Sequence, residues 1–199
     1  MEVTQQPSQP CLIEQARTDK AAFAALFRRY HDEIYRYCAR RLPHQAAAED
    51  VTSQVFFKMV KNFKTFMGDE KAFRCWLYRI ACNEINSFFR QSGRQTKAFE
   101  KLQQECPTQI PDTIEDCDQD DENAHQLAFL KSAIGTLKPT HQDIISLRFY
   151  EGLNSEQIGD ILKMKPATVR SQLARALKKL QELYKNRQQQ TSGELCWYE

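Results

Sequence analysis

The side chains best suited to chemistry in this chain are basic, amide-bearing and aromatic, and they fall in two clusters. Between Lys61 and Arg90 the sequence sets Lys61, Asn62, Lys64, Arg74, Arg79, Asn83, Asn86 and Arg90 among Phe63, Trp76, Tyr78 and Phe89. Guanidinium groups meet phosphates, amides pair with base edges and rings stack on unpaired bases, so this mixture suits single-stranded or distorted nucleic acid. An ordinary amphipathic helix with its aromatics in the core is the plainer alternative for the same residues. Farther along, Thr168, Arg170, Ser171, Ala174, Arg175 and Lys178 share one side of a helical repeat. Arg can engage guanine through two acceptors, and the small Ser171 and Ala174 permit close approach. Lys163, Lys165, Lys178 and Lys179 are placed for phosphates, which supply affinity without sequence information. Covalent chemistry has no comparable support. His31, His44, His125 and His141 have no Cys or acidic partner at ligand or triad spacing, and no glycine-rich phosphate loop occurs. The seven cysteines are scattered, with no C-x-x-C, so a zinc site or dithiol pair is not expected. Cys38, Cys75 and Cys82 are expected to be buried reduced thiols acting as small hydrophobes. The reading is a binding protein with no catalytic residue, metal or cofactor.

The elements that must position these groups follow from composition and charge. The chain has 199 residues, 41% hydrophobic and 27% charged, with only 6 Gly and 7 Pro. That profile fits a soluble, mainly helical protein of one domain or two small ones. Its net charge of +2 conceals a basic, acidic, basic order. Lys20 to Arg94 holds fourteen Lys and Arg against seven acids, Glu105 to His125 holds eight acids and no Lys or Arg, and Lys163 to Arg187 holds eight basic residues against one acid. The acidic stretch is too polar to bury much surface and reads as a flexible tether. Two basic modules on a tether suggest a polyanion contacted at two places. No run of eighteen apolar residues is present, so no membrane-inserted segment is expected. Met1 to Pro10 lacks an apolar signal core, and a cytoplasmic protein is expected.

In the first module Phe23, Leu26, Phe27, Tyr30, Ile34, Tyr37 and Cys38 recur at helical spacing, with Asp19 as N-cap and Pro43 beyond the end. A second helix starts near Ala46, with Glu49 and Asp50 in its first turn where the dipole favours acids. Val51, Val55 and Met59 form its core stripe, with Phe56, Val60 and Phe63 alongside. The opposite face shows Asp50, Gln54, Phe57, Lys58 and Lys61, and an aromatic at Phe57 fits a protein-binding face. Met67, Gly68 and Asp69 then break the pattern. A third helix follows, with Trp76, Leu77, Ile80, Ala81, Ile85 and Phe88 as its buried stripe and Tyr78 and Phe89 on the cationic side.

The second module has the grammar of a helix-turn-helix. Pro139 opens a helix that runs to Tyr150 and stops at Gly152. Asn154 and Gln157 form a capping box for the next helix, Ser155 to Leu162, which buries Ile158, Ile161 and Leu162. Gly159 is small where a neighbouring helix must come close. Lys163 to Lys165 make a turn, and Pro166 opens the last helix. Its core side is Val169, Leu173, Ala176, Leu177 and Leu180, leaving the polar side to enter a major groove.

These stretches resemble bacterial RNA polymerase sigma factors of the extracytoplasmic-function group. AAAEDVTSQVFFKM resembles the group's polymerase-binding helix, and FRCWLYRIACNEINSFFR its tryptophan-bearing helix for the minus-ten element. LKPTHQDIISLRFYEGLNSEQIGDILKMKPATVRSQLARALKKL aligns without a gap to its minus-thirty-five reader. Lys163 and Lys165 stand where the group usually has Gly and a small cap residue. The resemblance implies an all-α chain of two small domains: a helical bundle of the region 2 type over 19–94 and a helix-turn-helix of the region 4 type over 127–187. An acidic linker over 95–126 joins them, with tails at 1–18 and 188–199. Asp50, Gln54, Phe57 and Lys58 would dock on core RNA polymerase. Lys61, Asn62, Phe63, Lys64, Arg74, Trp76, Arg79, Asn83, Asn86 and Arg90 would bind the minus-ten element, with the loop from Asn62 to Glu70 capturing an unstacked base. Lys165, Thr168, Arg170, Ser171, Ala174, Arg175, Lys178 and Lys179 would bind the minus-thirty-five element of promoter DNA. An anti-sigma partner and a monomer within holoenzyme are implied too. The rival is a dimeric helix-turn-helix regulator, which would leave the basic-aromatic module unexplained.

Overall fold

The computed structural model describes residues 12–102 and 122–194, and every regular element among them is helical. They fall into two compact units: the first runs to Phe89 and also includes Asp160–Lys163, and the second carries the rest of the helices after the acidic segment. Most of the expected linker, Leu195, Trp197, Tyr198 and Cys11, Cys106, Cys117 and Cys196 lie outside the described residues.

The first unit is built from α1 (Leu12–Gln15), α2 (Lys20–Arg41), α3 (Gln45–Asn62) and the first half of α4 (Glu70–Leu102). Packing begins at Ile13, which is buried in the single turn of α1. Asp19 caps α2, its carboxylate accepting from the Ala21 N–H at 2.8 Å. The expected stripe of α2 is buried at Leu26, Tyr30, Ile34, Tyr37 and Cys38. Burial of an aliphatic side chain such as Leu26 or Ile34 stabilises the fold by about 1.5–3 kcal/mol. α3 starts one residue earlier than expected because His44 is its N-cap, with Nδ1 accepting from the Ala47 N–H at 3.1 Å. It packs on α2 through Ala47, Ala48, Val51, Thr52, Val55, Phe56 and Met59. Val60, expected beside this stripe, is 52% exposed because it lies outside that arc.

On α4 the buried stripe is Phe73, Leu77, Tyr78, Ala81, Cys82 and Ile85, while Trp76, Ile80 and Phe88 are half-buried. Tyr78 therefore sits in the core and not on the cationic side where periodicity had it. Its burial is possible because its hydroxyl donates to Glu33 Oε1 at 2.9 Å, so the polar tip is satisfied. The Tyr37 hydroxyl likewise meets Cys82 Sγ at 3.1 Å. Cys38, Cys75 and Cys82 are buried and form no disulfide, as composition suggested.

The second unit is built from α5 (Glu122–Gly135), α6 (Pro139–Ile145), α7 (Ser155–Leu162) and α8 (Pro166–Glu194). Helix thus extends into both ends of the expected linker and into the expected C-terminal tail. α5 and α6 both pack on α8, around a core of Leu137, Ile145 and Ala176 with Ile134, Leu173 and Leu180 against it. Leu177, expected in this core, is 41% exposed: Ala176 takes the inward place and the next residue turns about 100° away. α6 does not simply continue to Tyr150; Ser146–Tyr150 form a π turn, with the Glu151 N–H donating to Ser146 O at 3.3 Å. Wider turns of this kind occur inside or at the ends of α-helices. Gly152 follows at φ +67, the left-handed stop that its position suggested.

Candidate nucleic-acid and partner interfaces

Three surfaces carry the residues singled out by sequence. The first is a cavity of about 510 Å³ lined by Asn62, Thr65, Phe66, Met67, Ala72, Trp76 and Arg79. The 3-10 turn Phe63–Thr65 and the loop to Glu70 build one wall, and the first turns of α4 the other. Phe66 and Trp76 pack against each other with ring centroids 5.0 Å apart and planes tilted by 33°, with Phe73 behind both. Asp69 starts α4, its carboxylate accepting from the Ala72 N–H at 2.8 Å. Aromatic wall, amide and guanidinium thus meet around one concavity, the combination that accepts an unstacked base.

The other minus-ten candidates are placed differently. Lys61, Lys64, Asn83 and Arg90 are exposed, and Asn86 is half-buried. Phe63 is buried, its ring edge-on to Phe23 at 5.1 Å and to Phe73 at 5.9 Å, so it holds the loop from beneath. Arg74 lines a second cavity of about 610 Å³ together with Arg29, Tyr30, Glu33, Asp69, Glu70 and Lys71. There its Nε donates to Glu33 at 2.6 Å, and its guanidinium lies over the Tyr78 ring at 5.4 Å. Burial works against that charge, and Glu33 more than offsets it, so the Arg74 pKa is raised. Arg29 pairs with Glu70 at 2.6 Å. Burial first, and then the Glu70 charge, push the Tyr30 phenol up to about 12, so it remains a neutral donor toward Glu70, 3.3 Å away.

The second surface is the outer face of α3. Asp50, Gln54, Phe57 and Lys58 are all exposed, Phe57 at 70%, and Val60 adds a second apolar side chain next to them. Residues four and seven apart align on one helical face. The Lys58 ammonium also pairs with Glu84 of α4 at 2.5 Å, a carboxylate that is otherwise buried. Periodicity could not foresee that partner, because it comes from a different helix.

The third surface is α8. Lys165, Arg170, Ser171, Ala174, Arg175, Lys178 and Lys179 are exposed and Thr168 is half-buried. Their presentation depends on α7 and the turn before α8. Asn154 Oδ1 accepts from the N–H groups of Glu156 and Gln157 at 3.0 and 2.9 Å, while Gln157 Oε1 accepts from the Asn154 N–H at 3.0 Å. The capping box is therefore complete. Lys163 holds φ +55, a left-handed conformation that costs a non-glycine residue about 1–2 kcal/mol. Gly159 faces the backbone of its own following turn, where an added Cβ would lie 2.6 Å from Met164 O; the close neighbour is that turn and not a second helix. Across the unit, His141 Nε2 meets Gln172 Oε1 at 2.7 Å and ties α6 to the hidden side of α8.

Family comparisons match these units one by one. The model for Sigma-70 region 2 matches residues 26–95, and that for Sigma-70, region 4 matches residues 133–182. The ECF RNA polymerase sigma factor BldN of Streptomyces coelicolor is 29% identical over 175 residues, covering 86% of this chain and 64% of that protein. The ECF RNA polymerase sigma-E factor of Haemophilus influenzae is 28% identical over 179 residues, covering 87% of this chain and 94% of its own length. This chain thus spans just under two thirds of the first relative and nearly all of the second. Among solved structures, the sigma factor RpoE in complex with the anti-sigma factor NepR from Bartonella quintana has a TM-score of 0.61 at 23% identity, covering 82% of this chain and 96% of that one. CnrH, solved with the cytosolic domain of CnrY, has a TM-score of 0.64 at 19% identity, covering 88% and 96%. With a region 2 unit and a region 4 unit in that order, each on the helices that its motifs called for, the chain belongs to the extracytoplasmic-function group of the sigma-70 family.

Proposed function

We propose that this protein binds core RNA polymerase and directs promoter recognition, local melting and transcription initiation at a particular set of promoters. The observation that carries this reading is the cavity walled by Phe66 and Trp76 with Asn62 and Arg79 at its edge, because a duplex-only DNA binder has no use for a concavity lined by rings, an amide and a guanidinium. In this reading the region over 19–94 docks on polymerase through Asp50, Gln54, Phe57 and Lys58. Lys61, Asn62, Lys64, Trp76, Arg79, Asn83, Asn86 and Arg90 follow the melted minus-ten strand, with Phe63 and Arg74 supporting the loop and helix from below. The region over 127–187 reads the minus-thirty-five element through Arg170, Ser171, Ala174 and Arg175, and Lys165, Thr168, Lys178 and Lys179 meet phosphates. The segment over 95–126 tethers the two. No side chain of this chain performs covalent chemistry; the polymerase is the catalyst. The protein works in the cytoplasm as a monomer within holoenzyme, and an anti-sigma protein restrains it. The RpoE and NepR complex supports that last step as an example from a protein of the same fold.

Co-migration with bacterial core polymerase on size exclusion tests the reading. Wild type is expected to bind stoichiometrically, and a Gln54→Ala/Phe57→Ala double variant to lose the complex while keeping its helical circular dichroism. A wild-type chain that ignores core polymerase yet shifts free DNA as a dimer would overturn it in favour of an operator-binding regulator.

A further inference from the structure

The residues just before α2 reach the loop that walls the cavity beside Phe66 and Trp76. α1 is anchored by Ile13 and Ala16, both buried. The turn after it is closed by backbone bonds from Arg17 to Glu14 O at 3.2 Å and from Asp19 to Gln15 O at 2.9 Å. The backbone at Arg17 is thereby held in place. From there the guanidinium crosses to the loop: Nη2 donates to the Phe66 carbonyl at 2.5 Å, and Nη1 lies 3.7 Å from Met67 Sδ. The Phe66 N–H is already bonded to Phe63 O at 3.1 Å, so with Arg17 on its carbonyl both backbone polar groups of Phe66 are held. Phe66 and Met67 both line the cavity, and Met67 is 79% exposed, with a thioether chain free to take many rotamers unless something holds it. A charge-assisted bond to a carbonyl is about twice as strong as a neutral one. Arg17 also lies upstream of the stretch matched to region 2, which begins at 26.

We propose that Arg17 is a positioning residue for base capture: it holds the Phe66–Met67 segment in the conformation that shapes the cavity before DNA arrives. This rests on the base-capture reading above. A wall fixed in advance discriminates between bases better than one that must be ordered on binding, because the ordering cost is then not drawn from the contacts with the base.

The test uses holoenzyme assembled from the full chain and bacterial core polymerase. The probe is a fork-junction DNA library, duplex upstream and carrying six randomised single-stranded bases in the minus-ten segment. Wild type is expected to enrich one base strongly at one or more of those positions. Arg17→Ala is expected to lower discrimination at the captured position about tenfold, the worth of one hydrogen bond to a charged group, while core affinity and the preferences at the other positions stay at wild-type values and the thermal midpoint falls only by the few degrees that one bond accounts for. Arg17→Lys, which keeps one donor but not the fork, is expected to fall between the two. Arg17→Ala holoenzyme that enriches the same base to the same degree as wild type would overturn the positioning role and leave base capture standing. Wild-type holoenzyme with no base preference in the single-stranded segment would overturn base capture itself. A loss of discrimination spread equally over all positions would mark Arg17 as a stabilising residue only and also refute the proposal.

Discussion

Adding one methyl group at Gly159 tests how the helix-turn-helix is held together. An alanine Cβ at this position would lie 2.6 Å from Met164 O, 3.7 Å from Met164 C and 3.6 Å from Pro166 N. Carbon and carbonyl oxygen tolerate about 3.3 Å, so the turn must open by about 0.7 Å. The obstacle is backbone, and no side-chain rotation can remove it. Opening the turn strains the bond that closes it, from the Met164 N–H to Gly159 O at 2.9 Å. Overpacking of this kind costs about 1–3 kcal/mol and the lost bond about 1 kcal/mol, against a helix-propensity gain of about 1 kcal/mol for alanine over glycine. The net expectation is a loss of about 2 kcal/mol, or about 10 °C in the melting of a unit of this size. Two other glycines calibrate the experiment. Gly152 has open space around it but φ +67, so Gly152→Ala should cost about 1–2 kcal/mol in backbone strain alone. Gly135 closes α5 with nothing near its missing Cβ, and Gly135→Ala should be neutral or stabilise by about 0.4–1 kcal/mol. Thermal and urea unfolding followed by circular dichroism would rank the three. A Gly159→Ala protein that melts with wild type, or with Gly135→Ala, would refute the argument.

Other expectations follow from single interactions. Lys163→Gly should raise stability by about 1 kcal/mol by relieving a left-handed side chain at φ +55, read as a higher urea midpoint; no change would mean that the turn carries no strain. Asn154→Ala should cost about 1 kcal/mol, and the Asn154→Ala/Gln157→Ala pair should cost less than the sum, because each side chain bonds the other residue's backbone N–H and so holds the turn in the geometry the other bond needs; strict additivity in unfolding experiments would count against a coupled box. Lys58→Met leaves the buried Glu84 carboxylate without its cation, whereas Glu84→Gln removes the charge itself, so the lysine change should be the more harmful. With Lys58 half-exposed, the expected cost is about 1 kcal/mol, below that of a fully buried pair, and the reverse order in urea unfolding would contradict the pairing. Burial pushes the Cys38 thiol up to about 11, with Thr52 partly offsetting the rise. Its raised folded pKa gives stability that is fully present below about pH 9, the unfolded value, and is lost as pH rises through about 11. Cys38 should therefore resist iodoacetamide at pH 8 until the protein is unfolded, and peptide mass mapping that finds equal alkylation in native and urea-treated samples would refute this.

The second unit was the more legible one, and the reason is local. Pro139, Gly152, Asn154, Gln157 and Pro166 each act within a few residues of chain, so their order spells out the helices and turns without knowledge of what packs on them. The exposed polar face of α8 was readable for a related reason: a polar side of a helix needs only a consistent core side, and Val169, Leu173, Ala176 and Leu180 define one. Leu177 misled because hydrophobicity says that a residue can be buried, while Ala176 beside it had already taken the inward position.

In the first unit the sequence determined the helical period, the Asp19 cap, the break at Met67 to Asp69 and the exposed aromatic at Phe57. Tertiary structure decided which aromatics face inward. Tyr78 could be core only because Glu33, 45 residues away, accepts its hydroxyl, and Trp76 became a cavity wall only because Phe66 packs against it across a loop. The pairing of Lys58 with Glu84 and the reach of Arg17 to Phe66 have the same character, spanning 26 and 49 residues. Periodicity and capping are properties of neighbouring residues, so a sequence carries them openly. A side chain's partner on another helix depends on how helices cross and where loops return, and only the folded chain brings those atoms within hydrogen-bonding distance.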